Sequence, residues 1–259
     1  MKKIKFILDP SFKDSGIPVP PPVPAISLIP QWYKDAEAFI NKETMRLYIP
    51  DPSLRAPGLK SCIPVFDSLT SGYMLTTWWS IEVYKNENNT LKWKYIEKDE
   101  NGNWIDSVVN PFMVSEREGD MAYTYPRPEG YAHNHMVWQG KWGMKLPKKW
   151  SLLVTHPSHR FDLPFFTVSG IIDSDRFTAN GNLPWFIKNG WTGIIEKGTP
   201  FAQLIPIKRQ SWISQVISEK QDKMGRYLAS QVRSVVFGYY RSNIWVKKKY
   251  EADYDFKKE

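Results

Sequence analysis

Short runs of apolar and β-branched residues, separated by turn residues, recur through most of the chain and limit its possible folds. Residues 78 to 84 and 91 to 96 flank an asparagine cluster at 86 to 89, which predicts a β-hairpin. Other turn signals are Ser71-Gly72 and Asn101-Gly102-Asn103. Strand-and-helix alternation and internal repeats are absent from the sequence. The pattern therefore predicts a mainly β fold, an antiparallel β-sandwich or barrel of β-clip-like or jelly-roll-like type.

A proline-rich segment precedes these runs. Residues 10 to 30 contain seven prolines, namely Pro10, Pro18, Pro20, Pro21, Pro22, Pro24 and Pro30. Proline fixes φ and donates no backbone hydrogen bond, so this segment is predicted to be an extended N-terminal arm. The apolar residues between the prolines indicate that the arm lies on the body of the protein or on a neighbouring subunit.

Helical spacing of apolar residues occurs in two places. Trp32, Ala36, Phe39 and Ile40 predict a short amphipathic helix, and residues 210 to 246 predict one long or broken amphipathic helix. We therefore expect a single β domain at residues 1 to 209, which includes the arm at 10 to 30. Residues 210 to 259 are expected to form a C-terminal helix and basic tail packed on that domain.

The composition limits which cellular compartment and which classes of binding partner the sequence favours. The sequence has no apolar run long enough to span a membrane, and its first apolar run is too short for a signal peptide. Cys62 is the only cysteine, which is typical of a reducing cytoplasm. The net charge is +8, but lysines near residues 141 to 149 and at the C-terminal end are expected to form solvated surface. Nucleic acid is thus a possible partner that the sequence does not favour, and no membrane association is predicted.

All four histidines of the chain lie in two short segments. His156 and His159 belong to the polar stretch "HPSHRFDLPFFTVSGIIDSD", and His133 and His135 share one face of a predicted strand. Imidazole is a common ligand of transition metals, so one hypothesis is a metal site formed by both segments together. The other interpretation is that these residues have structural roles.

Arg160 and Asp162 are predicted to form an ion pair at a strand end, with two guanidinium donors on one carboxylate. The sequence contains no glycine-rich phosphate loop, nucleophile elbow or Cys-x-x-Cys motif. It therefore indicates no particular cofactor and leaves open whether the protein is an enzyme.

Residues 170 to 208 locally resemble the dUTPase and dCTP deaminase family. The matching positions are Gly170 and Asp173 in "GIIDSDRF", and Gly198, Ala202, Gln203 and Leu204 in "GTPFAQL". The resemblance implies a catalytic, water-orienting base at Asp173 and an aromatic platform for a nucleobase at Phe177. The family's Arg-Ser-Ser phosphate motif and its glycine-rich C-terminal arm are absent from this sequence.

A longer resemblance extends over most of the chain. The blocks "IPQWYKD", "LKSCIPVFDSLTSGYML", "HPSHRFDLPF", "GIIDSD" and "KGTPFAQLIPIKRQSW" together resemble a family of tailed-phage proteins found in large myoviruses, including cyanophages. The resemblance implies a phage protein with a compact β domain, located in the host cytoplasm or in the virion.

Three functions follow as hypotheses. The first is a β protein that binds a small, nucleotide-like ligand or a partner in a pocket of polar residues at strand ends. The candidate ligand-binding residues are Asp67, His156, Arg160, Asp162, Phe177 and Gln203. The second is a virion or assembly component that forms a homo-oligomer or binds another phage protein through its arm and C-terminal helix. The third is a nucleotide-directed or metal-dependent enzyme.

Overall fold

The computed structural model describes residues 2–40, 56–116, 124–132, 136–178, 180–218, 222–233 and 239–253. Within them, the strands are β1 (Lys5–Leu8), β2 (Val23–Pro24), β3 (Phe39–Ile40), β4 (Ala56–Pro57), β5 (Tyr73–Thr76), β6 (Ser80–Lys85), β7 (Leu91–Lys98), β8 (Trp104–Asp106), β9 (Val114–Glu116), β10 (Met136–Lys145), β11 (Trp150–Thr155), β12 (Phe165–Thr167), β13 (Gly170–Ile172), β14 (Asn180–Ile187), β15 (Gly193–Ile195) and β16 (Pro200–Lys208). The α-helices in the same residues are α1 (Pro10–Lys13), α2 (Gln31–Asp35), α3 (Ile63–Thr70) and α4 (Lys223–Arg233). Short 3-10 helices occupy Ala25–Leu28 and Leu59–Ser61, and a π-helical turn occupies Tyr240–Ile244.

The chain divides into two compact units, each made of two segments. The first unit comprises Met1–Ala25 and Gly72–Arg209, and the second comprises Ile26–Ser71 and Gln210–Glu259. This division groups residues 26 to 71 with the C-terminal segment, whereas the sequence analysis groups them with the β domain.

Three antiparallel sheets form the first unit. In the first sheet the strand order is β1-β10-β14-β12, and β9 also pairs with β10. The second sheet has the order β13-β11-β16-β5-β2, and the third has the order β15-β6-β7-β8. Every pairing among these described strands is antiparallel.

The core of the first unit lies between the first and second sheets. The ring of Trp138 on β10 stacks on Trp185 of β14 with centroids 4.3 Å apart, and on Phe201 of β16 with centroids 4.9 Å apart. All three side chains are buried. Because Phe201 belongs to the second sheet, these contacts join two facing sheets. The protein is therefore mainly β, as predicted, with the packing of a β-sandwich, and its described strands form no closed barrel.

The predicted hairpin is confirmed. Strands β6 and β7 pair along their length, from Ser80 opposite Ile96 to Lys85 opposite Leu91. In the connecting turn, the side-chain Oδ1 of Asn86 accepts hydrogen bonds from two backbone N–H groups of the same turn. Asparagine is favoured in turns because its side chain can bond the local backbone in this way.

The predicted turn at Gly72 depends on its lack of a side chain. Gly72 has a φ of +75°, and a Cβ built there would lie 1.9 Å from the carbonyl oxygen of Leu204. Only glycine adopts this conformation readily and tolerates so close a backbone contact. The close approach places β5 beside β16 in the second sheet.

The sequence "FFTVSGII" reads as one strand but forms two. Its first part, β12, pairs with β14 in the first sheet, and its second part, β13, pairs with β11 in the second sheet. The chain crosses between the facing sheets at Val168, whose N–H donates to the carbonyl of Pro184. This crossing places Asp173 directly after β13, beside the start of β11.

In the second unit, the predicted helices are shorter than their sequence patterns. Helix α2 ends at Asp35, and Phe39 lies in the short strand β3, so the expected helix from Trp32 to Ile40 is wrong in extent. Within the C-terminal segment, α4 is the predicted amphipathic helix, but residues 210 to 218 have no regular secondary structure. None of the helices in the described residues is long and apolar enough to cross a membrane.

Candidate functional site

The predicted catalytic residue Asp173 lies at the start of β11 together with three residues that the sequence analysis did not single out, and we call the group the Asp173 cluster: Ser151, Asp173, Asp175 and Arg209. Strand β11 pairs with β13 on one side and with the end of β16 on the other, which brings these side chains together. Ser151 Oγ donates to Asp173 Oδ1 at 2.7 Å. The guanidinium of Arg209 lies 2.8 Å from Asp173 Oδ1 and 2.7 Å from Asp175 Oδ2.

These contacts determine the protonation of the cluster. The hydrogen bond from Ser151, followed by that from Arg209, lowers the pKa of Asp173. The hydrogen bond from Arg209 is the main cause that lowers the pKa of Asp175, and the two carboxylates in turn raise the pKa of Arg209. A general base works best with a pKa near the working pH, so a carboxylate with a lowered pKa is a weak one. The observed role of Asp173 is to tie together strand ends, and its catalytic role stays a prediction.

A second group lies at the opposite end of β11, and we call it the His156 cluster: His156, Arg160, Asp162 and Gln203. His156 Nδ1 accepts the N–H of Thr167 at 3.3 Å, which places the ring proton on Nε2, 3.3 Å from the carbonyl oxygen of Arg160. Burial is the main cause that lowers the pKa of His156. The neutral ring therefore uses both of its nitrogens to hold a loop.

The other members of the His156 cluster also have partners. Arg160 donates to Asp162 through Nε at 2.9 Å and through Nη2 at 2.8 Å, which is the predicted two-donor pair. Burial acts to raise the pKa of Asp162, but the hydrogen bonds and charge of Arg160 outweigh it and lower the pKa. Gln203 is fully buried, and its Oε1 accepts the N–H of Ser158 at 2.9 Å.

The two clusters do not form one pocket. Asp173 follows the residue paired with Leu152, whereas Gln203 pairs with Thr155. At about 3.3 Å per residue, this places them roughly 10 to 13 Å apart along β11. Phe177, the predicted stacking platform, is 64% exposed in the turn after Asp173.

The metal hypothesis involves residues outside the described part of the chain. His133 and His135 lie outside it. Within the described residues, no group of three or more His, Cys, Asp or Glu side chains could hold a metal ion. The ring of His159 contacts Phe161, with centroids 5.9 Å apart. A shared site of all four histidines stays a prediction.

Asp67 belongs to the second unit and has its own partners there. It lies on α3, and both of its carboxylate oxygens are 3.0 Å from the indole Nε1 of Trp245. Lys248 also forms an ion pair with Asp67. Asp67 therefore attaches the C-terminal segment to α3.

A different candidate site lies at one end of the third sheet. At this end β6 and β8 begin and β7 and β15 finish, because neighbouring strands are antiparallel. A groove of about 360 Å³ opens there, and we call it the tryptophan groove. Its lining residues are Trp79, Ser80, Ile96, Glu97, Lys98, Trp104, Glu196 and Lys197.

Each tryptophan of the groove has a lysine near its ring. Lys98 Nζ lies 4.8 Å from the ring centroid of Trp104, and Lys197 Nζ lies 5.9 Å from that of Trp79. The indole Nε1 of Trp79 is buried and has no hydrogen-bond acceptor among the described residues. The groove thus combines two aromatic surfaces with two cations and an unsatisfied donor.

The carboxylates of the groove also lack partners in the part of the chain that the structure describes. Within the described part of the chain, the carboxylates of Glu97 and Glu196 form no ion pair or side-chain hydrogen bond. Two lysines and two glutamates leave the groove with no net formal charge. The sequence analysis missed this site because its residues come from four strand ends that are distant in sequence, and only the pairing of the strands brings them together.

No protein-family model matches this chain, and the comparison with curated proteins gives no match either. The resemblances to tailed-phage proteins and to dUTPases therefore stay predictions.

Proposed function

We propose that the first unit binds a small, planar, anionic ligand of the nucleotide type in the tryptophan groove. The observation that carries this proposal is the pair of indole rings, Trp79 and Trp104, each with a lysine ammonium group nearby. The volume of about 360 Å³ lies within the usual range for small-molecule sites, about 300–1,000 Å³. Binding is proposed rather than catalysis, because Asp173 and His156 already have partners inside the protein.

An indole face can hold the base of such a ligand. Stacking of a nucleobase on an aromatic side chain contributes about 1–3 kcal/mol and depends little on which base is present. Trp104 is partly exposed at the start of β8, so its ring is accessible from the groove. We assign the stacking surface to Trp104.

The lysines account for the anionic part of the ligand. A phosphate near Lys98 and Lys197 would form charge-assisted hydrogen bonds with their ammonium groups. The carboxylates of Glu97 and Glu196 would repel a highly charged phosphate chain while accepting hydrogen bonds from amino or hydroxyl groups. A groove with no net formal charge therefore favours a nucleoside monophosphate over a triphosphate.

Isothermal titration calorimetry with adenosine, guanosine, cytidine and uridine monophosphates tests this proposal. Ribose 5-phosphate serves as a control ligand without a base. Trp104→Ala should raise Kd by about 5- to 150-fold, since it removes about 1–3 kcal/mol of stacking. Trp93→Ala, on β7 of the same sheet but outside the groove lining, should bind like the wild type.

A double variant tests the role of charge. Lys98→Ala with Lys197→Ala should weaken binding of the monophosphates but not of the parent nucleosides. Lys92→Ala is the matched control, because Lys92 lies on β7 and pairs with Glu116 outside the groove. Equal loss of nucleosides and nucleotides would contradict the phosphate assignment, and binding of neutral sugars alone would identify a carbohydrate site instead.

A second function, assembly with other protein chains, is supported by a different observation. Trp212, Ile213 and Val216 are 82%, 98% and 100% exposed in the segment that follows Arg209. Apolar side chains exposed together are typical of interaction sites. Light scattering after gel filtration should show an oligomer that is lost when all three are changed to Ser, and a wild-type monomer would remove this candidate.

A further inference from the structure

A second cavity lies within the second unit and has a different chemistry. It measures about 380 Å³ and is lined by Tyr33, Ala38, Lys60, Ser61, Ile63, Phe66, Arg241 and Trp245. The lining comes from α2, the 3-10 helix at Leu59–Ser61, α3 and the C-terminal turn, together with Ala38 and Trp245, so two distant chain segments form it. We call it the Arg241 cavity.

The walls of this cavity are aromatic and held in place. The ring centroid of Phe66 lies 6.4 Å from that of Tyr33 and 6.3 Å from that of Trp245. The indole N–H of Trp245 donates to Asp67, which fixes the orientation of that ring. Aromatic side chains in a fixed arrangement are suited to an apolar or aromatic ligand body.

Among the polar groups of the cavity, Lys60 donates to the carbonyl of Lys34 and Ser61 to that of Gly58, which leaves Tyr33 and Arg241. Tyr33 is 6% exposed, yet its hydroxyl forms no hydrogen bond among the described residues. The guanidinium of Arg241 likewise has no hydrogen bond or ion pair within the described part of the chain. Burial is the main cause that raises the pKa of Tyr33, and the nearby positive charge of Arg241 opposes it.

We propose that the Arg241 cavity binds a small aromatic carboxylate. Arg241 would bind the carboxylate through its planar fork of N–H donors, and the Tyr33 hydroxyl would donate a further hydrogen bond. The ring of the ligand would pack against Phe66 and Trp245. This site is separate from the tryptophan groove, so the inference does not depend on the proposed function.

Calorimetry with 2-naphthoate tests the proposal, with 2-naphthamide as the uncharged analogue and octanoate as the analogue without a ring. We expect 2-naphthoate to bind about tenfold or more tightly than the amide, since a charge-assisted hydrogen bond is lost with the charge. Octanoate should bind more weakly than 2-naphthoate. Equal binding of 2-naphthoate and 2-naphthamide, or tighter binding of octanoate, would overturn the assignment.

Variants locate the site. Arg241→Gln should weaken 2-naphthoate by about tenfold or more, Tyr33→Phe should weaken it less, and Arg241→Lys should restore part of the affinity. Lys247→Gln removes a positive charge from an exposed neighbour outside the lining and should have no effect. Circular dichroism checks that each variant is folded, and the Lys98→Ala, Lys197→Ala variant should bind 2-naphthoate normally. Unchanged affinity in folded Arg241→Gln would disprove the proposal.

Discussion

At the two ends of β11, charged side chains have partners from their own chain: Asp173 pairs with Arg209, and Arg160 pairs with Asp162. At the end of the third sheet, the carboxylates of Glu97 and Glu196 have no such partners among the described residues. The first region contains the residue types of an active site, whereas the second contains groups still free to bind. Residue type indicates which chemistry is possible, and the hydrogen bonds indicate whether the group is available for it.

The largest expected effect comes from removing the buried amide of Gln203, which tests whether the partnered residues near β11 are structural. Gln203→Ala leaves the N–H of Ser158 without its acceptor and creates a cavity, which should cost about 2–4 kcal/mol of unfolding free energy. Urea denaturation measures the loss, with the exposed Gln210→Ala as the matched control. Nucleotide binding should be unchanged in the folded fraction. A stable Gln203→Ala protein that had lost ligand affinity would make Gln203 a binding residue.

The next largest effect is the loss of stability of the fold at acidic pH. The pKa values of Asp173 and Asp175 are lowered from 3.8 in the folded state, so their stabilisation is present above about pH 3.8 and is lost as the pH falls through the folded pKa values. Arg209→Gln removes the shared cation and should lower the melting temperature near neutral pH. Its further loss of stability in acid should be smaller than that of the wild type.

Melting curves from about pH 6 down to about pH 2 compare Arg209→Gln with the control Lys208→Gln, an exposed lysine beside it. Identical acid profiles for Arg209→Gln and the wild type would show that the Asp173 cluster does not stabilise the fold.

A smaller effect should appear at mildly acidic pH. The pKa of His156 is lowered from 6.5 by burial, so below pH 6.5 the unfolded state binds the proton more readily than the folded state. Stability should therefore fall as the pH decreases from 6.5 towards the folded pKa. His156→Asn keeps an acceptor for the N–H of Thr167 and should flatten this dependence.

The matched control is His159→Asn, because His159 has a φ of +56° and asparagine tolerates that conformation. Urea midpoints measured across this pH range report the slope. A slope that persists in His156→Asn but disappears in His159→Asn would show that His156 is not the source of this pH dependence.

The smallest effect is expected for a substitution of Phe177, the predicted stacking platform outside the tryptophan groove. Phe177→Ala should change the unfolding free energy by no more than about 0.5 kcal/mol, because the side chain is 64% exposed. Affinity for nucleoside monophosphates should also be unchanged. A large loss of affinity would instead support the dUTPase-like interpretation, in which Phe177 stacks on the base.

Local patterns account for what the sequence predicts well. Asn86 and Gly72 predict their turns because each residue determines the local backbone. The amide of Asn86 bonds the backbone of its own turn, and Gly72 adopts a positive φ because it has no side chain. The change of sheet within "FFTVSGII" has no local signal, since both parts have the same apolar character. That crossing decides which strand Asp173 lies beside, so its surroundings could not be read from the sequence.

The candidate sites show the same limit. The Arg160–Asp162 pair joins residues two positions apart and was predicted. Trp79 and Trp104 are brought to one groove by the pairing of three strands, and strand register is a property of the whole sheet. The Arg241 cavity depends on contacts between segments that are even farther apart in the sequence.

The two-segment composition of the second unit has a consequence for biosynthesis. Asp67 and Trp245, which hydrogen-bond each other, are separated by 178 positions. At about 5–20 residues per second, the ribosome needs about 9 to 36 s to make the residues between them. During that interval the nascent first unit can fold, while Tyr33 and Phe66 still lack the C-terminal turn that completes their cavity. The order of translation therefore lets the Arg241 cavity form only after Trp245 has been made, later than the strands of the first unit can pair.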